Sequence, residues 1–436
     1  MNGRFEAANT SFAVLLSSES VTRVVATFKE NTMTMSKVSM GPARAEFLPF
    51  ALPSIGEEEI AEVVDSLRSG WITTGPKVKR FEVDFAHYVG CQEAIAVNSC
   101  TAALHIALTA LRIGPGDEVI VPTLTFCATA NVVVHLGARP VLVDVGEDGN
   151  IQPEAIERAI TSRTKAIVPV HYSGQACDLA AVYDIARRRG LAVVEDAAHA
   201  IGSEYADRKI GTSPPPEVLA ADRHVVCFSF YAIKNLTTGE GGMITTSGSE
   251  LAGRMRRLSL HGMSRDAWKR YSGSGSWYYE VLEAGYKDNM TDIQAAMGIH
   301  QLKKLDRFID TRARYAGLYS EAFADMPEIE LPVVHPDRKH AWHLYVVRLA
   351  LERLTVDRAQ FIEELRARNI GTSVHFIPVH LQPYYQERFG YRLGDLKHAE
   401  SLYERIVSLP LYPGMNDEDV EYVIHAVRDV ISANRR

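Results

Sequence analysis

The amino-acid sequence predicts an α/β fold in which helices cover both faces of a mostly parallel sheet. Short apolar segments, such as 118–122 and 225–230, alternate with segments of helical periodicity along the chain. The short segments are apolar over most consecutive residues instead of at every second residue, which is typical of strands buried on both faces. Because such sheets bind ligands beyond the carboxyl ends of their strands, the residues that follow each predicted strand are the candidates for a site.

The first helix is predicted from its two ends and from apolar residues at helical spacing between them. The Ser54 hydroxyl is placed to cap the first N–H groups while Glu57 reaches back, and Gly70 is suited to end the helix. Further helices are predicted at 101–111, 153–160, 180–189 and 292–323. Strands are predicted at 94–98, 118–122, 141–145, 166–171, 191–195, 225–230, 243–246, 344–349 and 372–376.

The 436 residues divide into three predicted parts. Residues 1–45 are rich in Ser, Thr and Met and have weak periodicity, so we expect a disordered tail or a start assigned too early. Residues 46–305 form the predicted large domain around the main sheet. Residues 306–436 form a predicted smaller C-terminal α/β domain, which contains the last two strands.

Composition excludes several classes of protein. The net charge of -7 argues against nucleic acid as a partner. Five scattered cysteines without C-x-x-C spacing predict neither a disulfide framework nor a metal site, and they suit a reducing cytoplasm. No apolar run approaches the ~18 residues that a membrane helix needs, so no membrane partner is expected.

Two of the predicted turns carry polar residues suited to a charged ligand. Ser99, Cys100 and Thr101 stand where a strand turns into a helix, and helix-start N–H groups with hydroxyls can bind an anion; plain capping of the helix is the alternative. Asp196 ends another strand, and His199 follows it by three residues. A buried aspartate can keep a ring nitrogen protonated, although a metal pair or a helix cap would explain the same spacing.

A lysine and an aromatic residue complete the set. Lys234 follows an apolar strand beside a Gly-rich turn, where desolvation would lower the pKa of its amine and make it nucleophilic; the alternative is a surface lysine in a loop. Phe126 could lie against a flat ring or pack in the core. An anion site, an acidic partner for a ring nitrogen, an aromatic and a nucleophilic amine are together what pyridoxal 5'-phosphate (PLP) requires.

From about residue 47 to 430 the sequence also resembles the nucleotide-sugar aminotransferases of the DegT/DnrJ/EryC1/StrS family, which are fold-type I PLP enzymes. The motifs are GWITTGP at 70–76, GPGDEV at 114–119, VEDAAH at 194–199, SFYAIK at 229–234, GEGG at 239–242 and NMTDIQAA at 289–296. AWHL at 341–344, VHF at 374–376 and SLPL at 408–411 are similar to the branch that forms UDP-4-amino-4-deoxy-L-arabinose.

The resemblance implies a role for each matching residue. Lys234 would be the Schiff-base lysine, and Asp196 would pair with the ring nitrogen of PLP. His199 would lie near its 3-hydroxyl and Phe126 on its ring. The implied phosphate contacts are Cys100, Thr101 and Ser229.

Other implied contacts concern a second subunit and the substrate. Asn289 matches an asparagine that reaches the phosphate from the other subunit, which implies a homodimer with shared active sites. The expected substrates are a nucleotide-linked 4-keto sugar and L-glutamate, which becomes 2-oxoglutarate. Substrate-binding residues are predicted to be Trp71, Thr73, His375 and Tyr384.

Departures from the family pattern and other functions stay open at this point. Many members have Gly at the position of Cys100, and residues 272–283 resemble an inserted loop that would line the substrate site or the dimer interface. A sugar dehydratase of this fold would have His in place of Lys234, and a regulatory relative would lack Lys234 or Asp196. A nicotinamide dehydrogenase is disfavoured because no G-x-G-x-x-G follows the first strand.

Overall fold

A mixed sheet of seven strands lies at the centre of the computed structural model, which describes residues 44–264 and 278–436. Of the predicted tail 1–45 only its last two residues fall within the described part, and of the predicted insertion only 278–283 does. The strands described are β1 (Glu93–Val97), β2 (Glu118–Pro122), β3 (Arg139–Val143), β4 (Thr164–Ile167), β5 (Ala192–Asp196), β6 (Glu204–Tyr205), β7 (Arg208–Lys209), β8 (His224–Ser229), β9 (Gly242–Thr246), β10 (Ile329–Glu330), β11 (Arg338–Lys339), β12 (Tyr345–Leu349) and β13 (Ile406–Leu409).

The order of strands in this sheet is β1-β9-β8-β5-β4-β2-β3. Strand β9 runs antiparallel to both of its neighbours, and the remaining pairs are parallel. Six strands therefore end at the same edge of the sheet. This confirms the predicted mostly parallel sheet and gathers the turns after β1, β2, β5 and β8 at one edge.

Helices cover the sheet on both faces, as the uninterrupted burial of its central strands requires. The α-helices of the described residues are α1 (Glu57–Ser69), α2 (Pro76–Val89), α3 (Cys100–Ala110), α4 (Ala128–His135), α5 (Pro153–Ala159), α6 (Leu179–Arg189), α7 (Ser249–Leu258), α8 (Asp292–Phe323), α9 (Arg358–Arg366), α10 (Pro383–Phe389), α11 (Lys397–Arg405) and α12 (Asp417–Ala433). None of them is long and apolar enough to cross a membrane.

The predicted start of α1 was wrong by two residues. Gly56, not Ser54, is the N-cap, and the carboxylate of Glu59 accepts a hydrogen bond from the Gly56 N–H at 2.9 Å. The carbonyl of Ser54 instead accepts from the side chain of Gln301 on α8 at 2.7 Å, which holds Ser54 outside the helix. The predicted end is confirmed, since Gly70 caps α1 with a φ of 80°, a left-handed conformation that favours glycine.

A second sheet, of order β10-β12-β13, lies in the C-terminal part of the described chain. The strand predicted at 372–376 is absent there: Ser373 pairs with Ser408 as an isolated bridge. Strand pairing does not continue beyond Ser373. Two residues later the Nδ1 atom of His375 lies 2.8 Å from the hydroxyl of Ser408.

Helix α8 spans Asp292–Phe323, the range that the apolar periodicity predicts. Its first half packs on α1 and α2, and its last turns join the apolar cluster of the second sheet through Tyr315, Tyr319 and Phe323. The boundary expected at residue 305 falls inside this helix, so the division into 46–305 and 306–436 stays a prediction.

Candidate active site

A cavity of about 500 Å³ opens at the carboxyl edge of the seven-stranded sheet. The turns that follow β1, β2, β5 and β8 line it, as the topology requires. Eight of the predicted site residues line this cavity: Cys100, Thr101, Phe126, Asp196, His199, Ser229, Lys234 and His375. The structure thus brings together residues that are up to 275 positions apart in the sequence, from Cys100 to His375.

Lys234 lies in the turn after β8, where its N–H donates to the carbonyl of Tyr231 at 2.9 Å. Its side chain is half-buried and reaches the cavity. Among the described residues no carboxylate lies within ion-pair distance of the amine. Burial lowers the pKa of Lys234 to about 8, while the proximity of Cys100 and Asp196 acts to raise it. A larger fraction of this amine than of an ordinary lysine is therefore neutral and nucleophilic near pH 7.

Asp196 is buried at the end of β5 and receives three hydrogen bonds, one of them a long one of 4.0 Å from the thiol of Cys100 to Oδ1. Thr129 donates its hydroxyl to Oδ2 at 2.8 Å, and the N–H of Ala198 donates to Oδ1 at 3.1 Å. Burial raises the pKa of Asp196 above its ordinary value, although the bonds from Thr129 and Ala198 and the charge of Lys234 act to lower it. In the part of the chain that is described, no cation lies within ion-pair distance of the carboxylate, so the site leaves it free for a cationic partner.

His199 has an unpartnered polar atom. Its ring lies 4.4 Å from the ring of His343 and 5.8 Å from that of Phe376, between ring centroids. Its Nδ1 atom is buried and finds no hydrogen-bond partner among the described residues. Burial, followed by the positive charge of Lys234, holds the pKa of His199 well below its ordinary value, so the ring is neutral. A buried unpaired nitrogen of this kind indicates a place for a ligand group.

The start of α3 forms the anion-binding end of the cavity. The Ser99 hydroxyl accepts from the N–H of Ala102 at 3.1 Å, which confirms Ser99 as the helix cap. The N–H groups of Cys100 and Thr101 belong to the first turn, which has no partners within the helix. Gly242 lies directly beneath this turn: a Cβ there would be 2.6 Å from the backbone of Ser99. Only glycine allows this close approach.

Two aromatic residues and a histidine complete the walls. Phe126 is 59% exposed at the rim, and its ring centroid lies 6.0 Å from that of Phe376. A face of Phe126 is thus available to a flat ligand. Burial and the charge of Lys234 lower the pKa of His375 to about 4, so its ring is neutral as well. Ser229, at the end of β8, accepts from the N–H of Tyr231 at 3.4 Å.

Four predicted site residues lie outside the cavity. The side chain of Asn289 donates to the hydroxyl of Thr74 at 2.6 Å. Trp71 and Thr73 are exposed in the same region. Tyr384 is 50% exposed on α10 and packs against Phe389. The structure does not bring these residues together with Lys234 within one chain.

The sequence analysis did not select three polar residues that shape the site. Thr129 binds Asp196, His343 touches Lys234, and Asn235 binds His343. His343 stands in the AWHL segment, which the sequence marked only as a likeness to a family branch. Thr129 could have been found from its place three residues after Phe126, in the segment that follows a strand.

This constellation defines the class of protein: an enzyme that binds PLP through a lysine at the carboxyl edge of an α/β sheet. The comparison with known proteins gives the particular family. Residues 53–428 match the DegT/DnrJ/EryC1/StrS aminotransferase family, and the chain belongs to it. The family is PLP-dependent, so the predicted cofactor is confirmed, as is the fold-type I architecture.

Three relatives show how far the likeness extends. The spore coat polysaccharide biosynthesis protein SpsC of Bacillus subtilis is 54% identical over 390 residues, which cover 89% of this chain and 98% of SpsC. The structure of Spr1654 from Streptococcus pneumoniae in its PLP form is 34% identical, with a TM-score of 0.80 over 88% of this chain and 99% of Spr1654. PseC of Helicobacter pylori, an aminotransferase of pseudoaminic acid biosynthesis, is 31% identical with a TM-score of 0.80 over 89% of this chain and all of PseC.

The residues of the cavity fit PLP. The partly neutral amine of Lys234 suits an aldehyde, and the unpaired carboxylate of Asp196 suits a protonated ring nitrogen. The orphaned Nδ1 of His199 suits a hydroxyl, and the start of α3 suits a phosphate. Within the described chain, none of these protein groups has the kind of partner that the cofactor would supply.

Proposed function

We propose that the protein transfers an amino group from L-glutamate to a nucleotide-linked 4-keto sugar. The observation that carries this proposal is the joint position of Lys234 and Asp196 in one cavity, the first half-buried and the second buried, each without an ion pair among the described residues. Membership of the aminotransferase family supports the reaction type. The names of SpsC and PseC support a sugar in a polysaccharide or sugar-acid route.

The roles of the residues follow from their contacts. PLP, when bound, supplies an electron sink for the charge left on carbon when a proton is removed. Lys234 would hold the cofactor covalently, would be freed by the amino donor, and would then act as the base that takes the proton from the donor carbon and as the acid that returns it. Asp196 holds the ring nitrogen protonated, and Thr129 and Ala198 hold Asp196 in place.

The remaining cavity residues bind and orient. Cys100, Thr101 and Ser229 hold the phosphate, with the N–H groups at the start of α3 as the main donors. Phe126 covers the ring and His199 accepts or donates at the 3-hydroxyl. The neutral state of His199 allows its Nδ1 to take either part.

A homodimer would place the four outlying residues at the active site of the partner. Trp71, Thr73 and Asn289 share one exposed surface of the chain, and Tyr384 is half exposed. We propose that Asn289 reaches the phosphate in the partner subunit, and that Trp71, Thr73 and Tyr384, with His375, line the sugar site. The proposed location of the enzyme is the cytoplasm.

The identity of the sugar is the most specific part of the proposal. The UDP-4-keto-pentose branch rests on the AWHL, VHF and SLPL segments, whereas SpsC and PseC stand for other branches. A sugar dehydratase or a regulatory relative is disfavoured because Lys234 and Asp196 are both present in the cavity.

An amination assay across UDP- and dTDP-linked 4-keto sugars tests the proposal. The purified enzyme is given PLP, L-glutamate and one sugar at a time, and both 2-oxoglutarate and amino sugar are measured. We expect one sugar class to be aminated, with no product from the Lys234→Ala variant. If the enzyme binds PLP but aminates none of the sugars, the sugar assignment is wrong and the cofactor assignment stands.

A further inference from the structure

His343 touches the amine of Lys234 although none of the roles above requires it. The residue lies in the loop before β12, is 4% exposed and lines the cavity. Its Nε2 atom is 3.5 Å from Nζ of Lys234. Hydrogen bonds at active sites are often long before substrate binds and shorten in the reacting complex. The contact is therefore a candidate for a working hydrogen bond.

The direction of this hydrogen bond follows from Asn235. The Asn235 amide donates from Nδ2 to the carbonyl of Ala341 at 2.7 Å, which fixes the orientation of its two terminal atoms. Its Oδ1 then faces Nδ1 of His343 at 3.2 Å, and an amide oxygen can only accept. Nδ1 of His343 must carry the hydrogen. In the neutral ring, Nε2 is left with a lone pair aimed at Lys234.

The surroundings of His343 keep its ring neutral. Burial is the main reason that the pKa of His343 lies well below its ordinary value, and the positive charges of Lys234 and Arg312 lower it further. Arg312 on α8 is fully buried and donates to the carbonyl of His343 at 3.3 Å and to that of Leu411 at 2.6 Å. A positive charge is thus fixed at the backbone carbonyl of His343.

The acidic groups of the cavity face Lys234 instead of His343. Cys100 and Asp196 are the acidic groups whose proximity favours the ammonium form of Lys234. Neither of them forms a hydrogen bond to Nζ among the described residues. The only such bond described for the amine is the one to His343.

We propose that His343 is a second catalytic residue, a neutral acceptor that holds Lys234 in place between its two proton transfers. The inference rests on the proposed function. When the amine of Lys234 takes a proton from the donor carbon it becomes an ammonium group, and when it delivers that proton to C4′ it becomes an amine again. His343 gains and loses no proton; its Nε2 accepts a hydrogen bond from Nζ throughout.

Two substitutions separate the two ends of the imidazole ring. Gln places an oxygen near the position of Nε2, so His343→Gln keeps an acceptor for Lys234. Asn places an amide nitrogen near the position of Nδ1, so His343→Asn keeps the bond to Asn235 and loses the acceptor. Circular dichroism of both variants establishes that they are folded.

The first measurement uses no sugar and no amino donor. PLP is added to the apo-enzyme, and the rate at which the absorbance of lysine-bound PLP appears is followed against pH. In the unsubstituted enzyme this rate rises with pH through the pKa of Lys234, about 8, since the neutral amine is the nucleophile. In His343→Asn the ammonium loses its acceptor, so the midpoint moves down by about one pH unit and capture near pH 7 becomes faster. His343→Gln keeps the midpoint of the unsubstituted enzyme.

The second measurement is the reaction with glutamate alone, followed by the loss of that absorbance. Here we expect His343→Asn to be about tenfold slower and His343→Gln to be close to the unsubstituted enzyme. Faster capture together with slower transfer is a signature that a merely structural role would not give. The idea fails if the Asn and Gln variants behave alike, or if His343→Asn keeps the midpoint of the unsubstituted enzyme.

A third variant covers the case in which His343→Asn does not fold. In Asn235→Ala nothing keeps the hydrogen of His343 on Nδ1, so a fraction of the rings carries it on Nε2 and no longer accepts from Lys234. We therefore expect the pH midpoint of PLP capture to shift downward by less than about one pH unit. An unchanged midpoint in this variant would overturn the proposal. Because capture of PLP requires neither glutamate nor sugar, a failure of the proposed sugar reaction would leave these midpoints unaffected.

Discussion

Two carboxylates adjacent in the sequence lie in regions of opposite character. Asp196 faces the cavity with hydrogen bonds from Thr129, Ala198 and Cys100 and a pKa above its ordinary value. Glu195 points to the other face of β5, where His171 and His224 lie 2.9 Å and 2.6 Å from its oxygens and Tyr183 donates its hydroxyl. Burial acts to raise the pKa of Glu195, but the bonds from the two histidines outweigh it and hold this pKa well below the ordinary value.

The difference between these regions is the kind of partner and not the depth of burial: two histidines and a phenol meet Glu195, whereas a hydroxyl, a backbone amide and a thiol meet Asp196. Glu195 is 1% exposed and Asp196 is 5% exposed. The network of Glu195, His171, His224 and Tyr183 satisfies the charge within the protein, which is typical of a group that holds the fold together. Asp196 keeps capacity for a cation that the described chain does not supply. The unsatisfied region binds the ligand and the satisfied region supports it.

The Lys234→Ala variant is the strongest test of the distinction between the ligand-binding region around Asp196 and the supporting region around Glu195. The variant loses both the covalent attachment of PLP and the group that moves the proton, so turnover should fall by roughly 10⁴-fold or more. The absorbance of lysine-bound PLP, and its sensitivity to borohydride, should disappear. Lys303→Ala, at an exposed position of α8, is the matched control and should keep both.

Retained turnover in Lys234→Ala would remove Lys234 from the mechanism, and with it the assignment of the cavity as the active site. Loss of folding is monitored by circular dichroism at the same protein concentration.

A smaller effect is expected for Asp196→Asn. The amide keeps the size of the side chain but cannot carry the negative charge that stabilises a protonated ring nitrogen. Turnover should fall by roughly 10²-fold or more, while Lys234 still captures PLP and the absorbance persists at a shifted wavelength. Steady-state kinetics and absorbance spectra measure the two quantities. Normal turnover with a normal spectrum would show that Asp196 does not contact the cofactor.

Sequence could predict the ligand-binding region better than the supporting one. Lys234, Asp196 and Cys100 follow strands, and the edge of a parallel sheet collects such residues whatever the details of packing. His171 and His224 could not be matched to Glu195 because their contacts depend on the register of β5 and β8 and on the loop after β4. His343 was missed for the same reason, since the loop before β12 reaches the cavity only through tertiary packing.

The smallest expected effect concerns the supporting region. In Glu195→Gln one terminal atom becomes an NH₂ group, which must face a donor from His171, His224 or Tyr183. The free energy of unfolding should fall by about 2 kcal/mol, while the spectrum of lysine-bound PLP stays normal. Urea unfolding of the apo-protein measures the loss, and Glu157→Gln, a partly exposed residue paired with Arg188, should change little.

The pH dependence of this loss in the free energy of unfolding tests the supporting role of Glu195 further. Because the pKa of Glu195 is lower in the folded protein, the stability it contributes is present above the pKa of an unfolded glutamate and declines as pH falls toward the folded value. The difference in stability between Glu195→Gln and the unsubstituted protein should therefore be constant near neutral pH and narrow below about pH 4. A variant as stable as the unsubstituted protein but deficient in turnover would reverse the roles assigned to the two carboxylates.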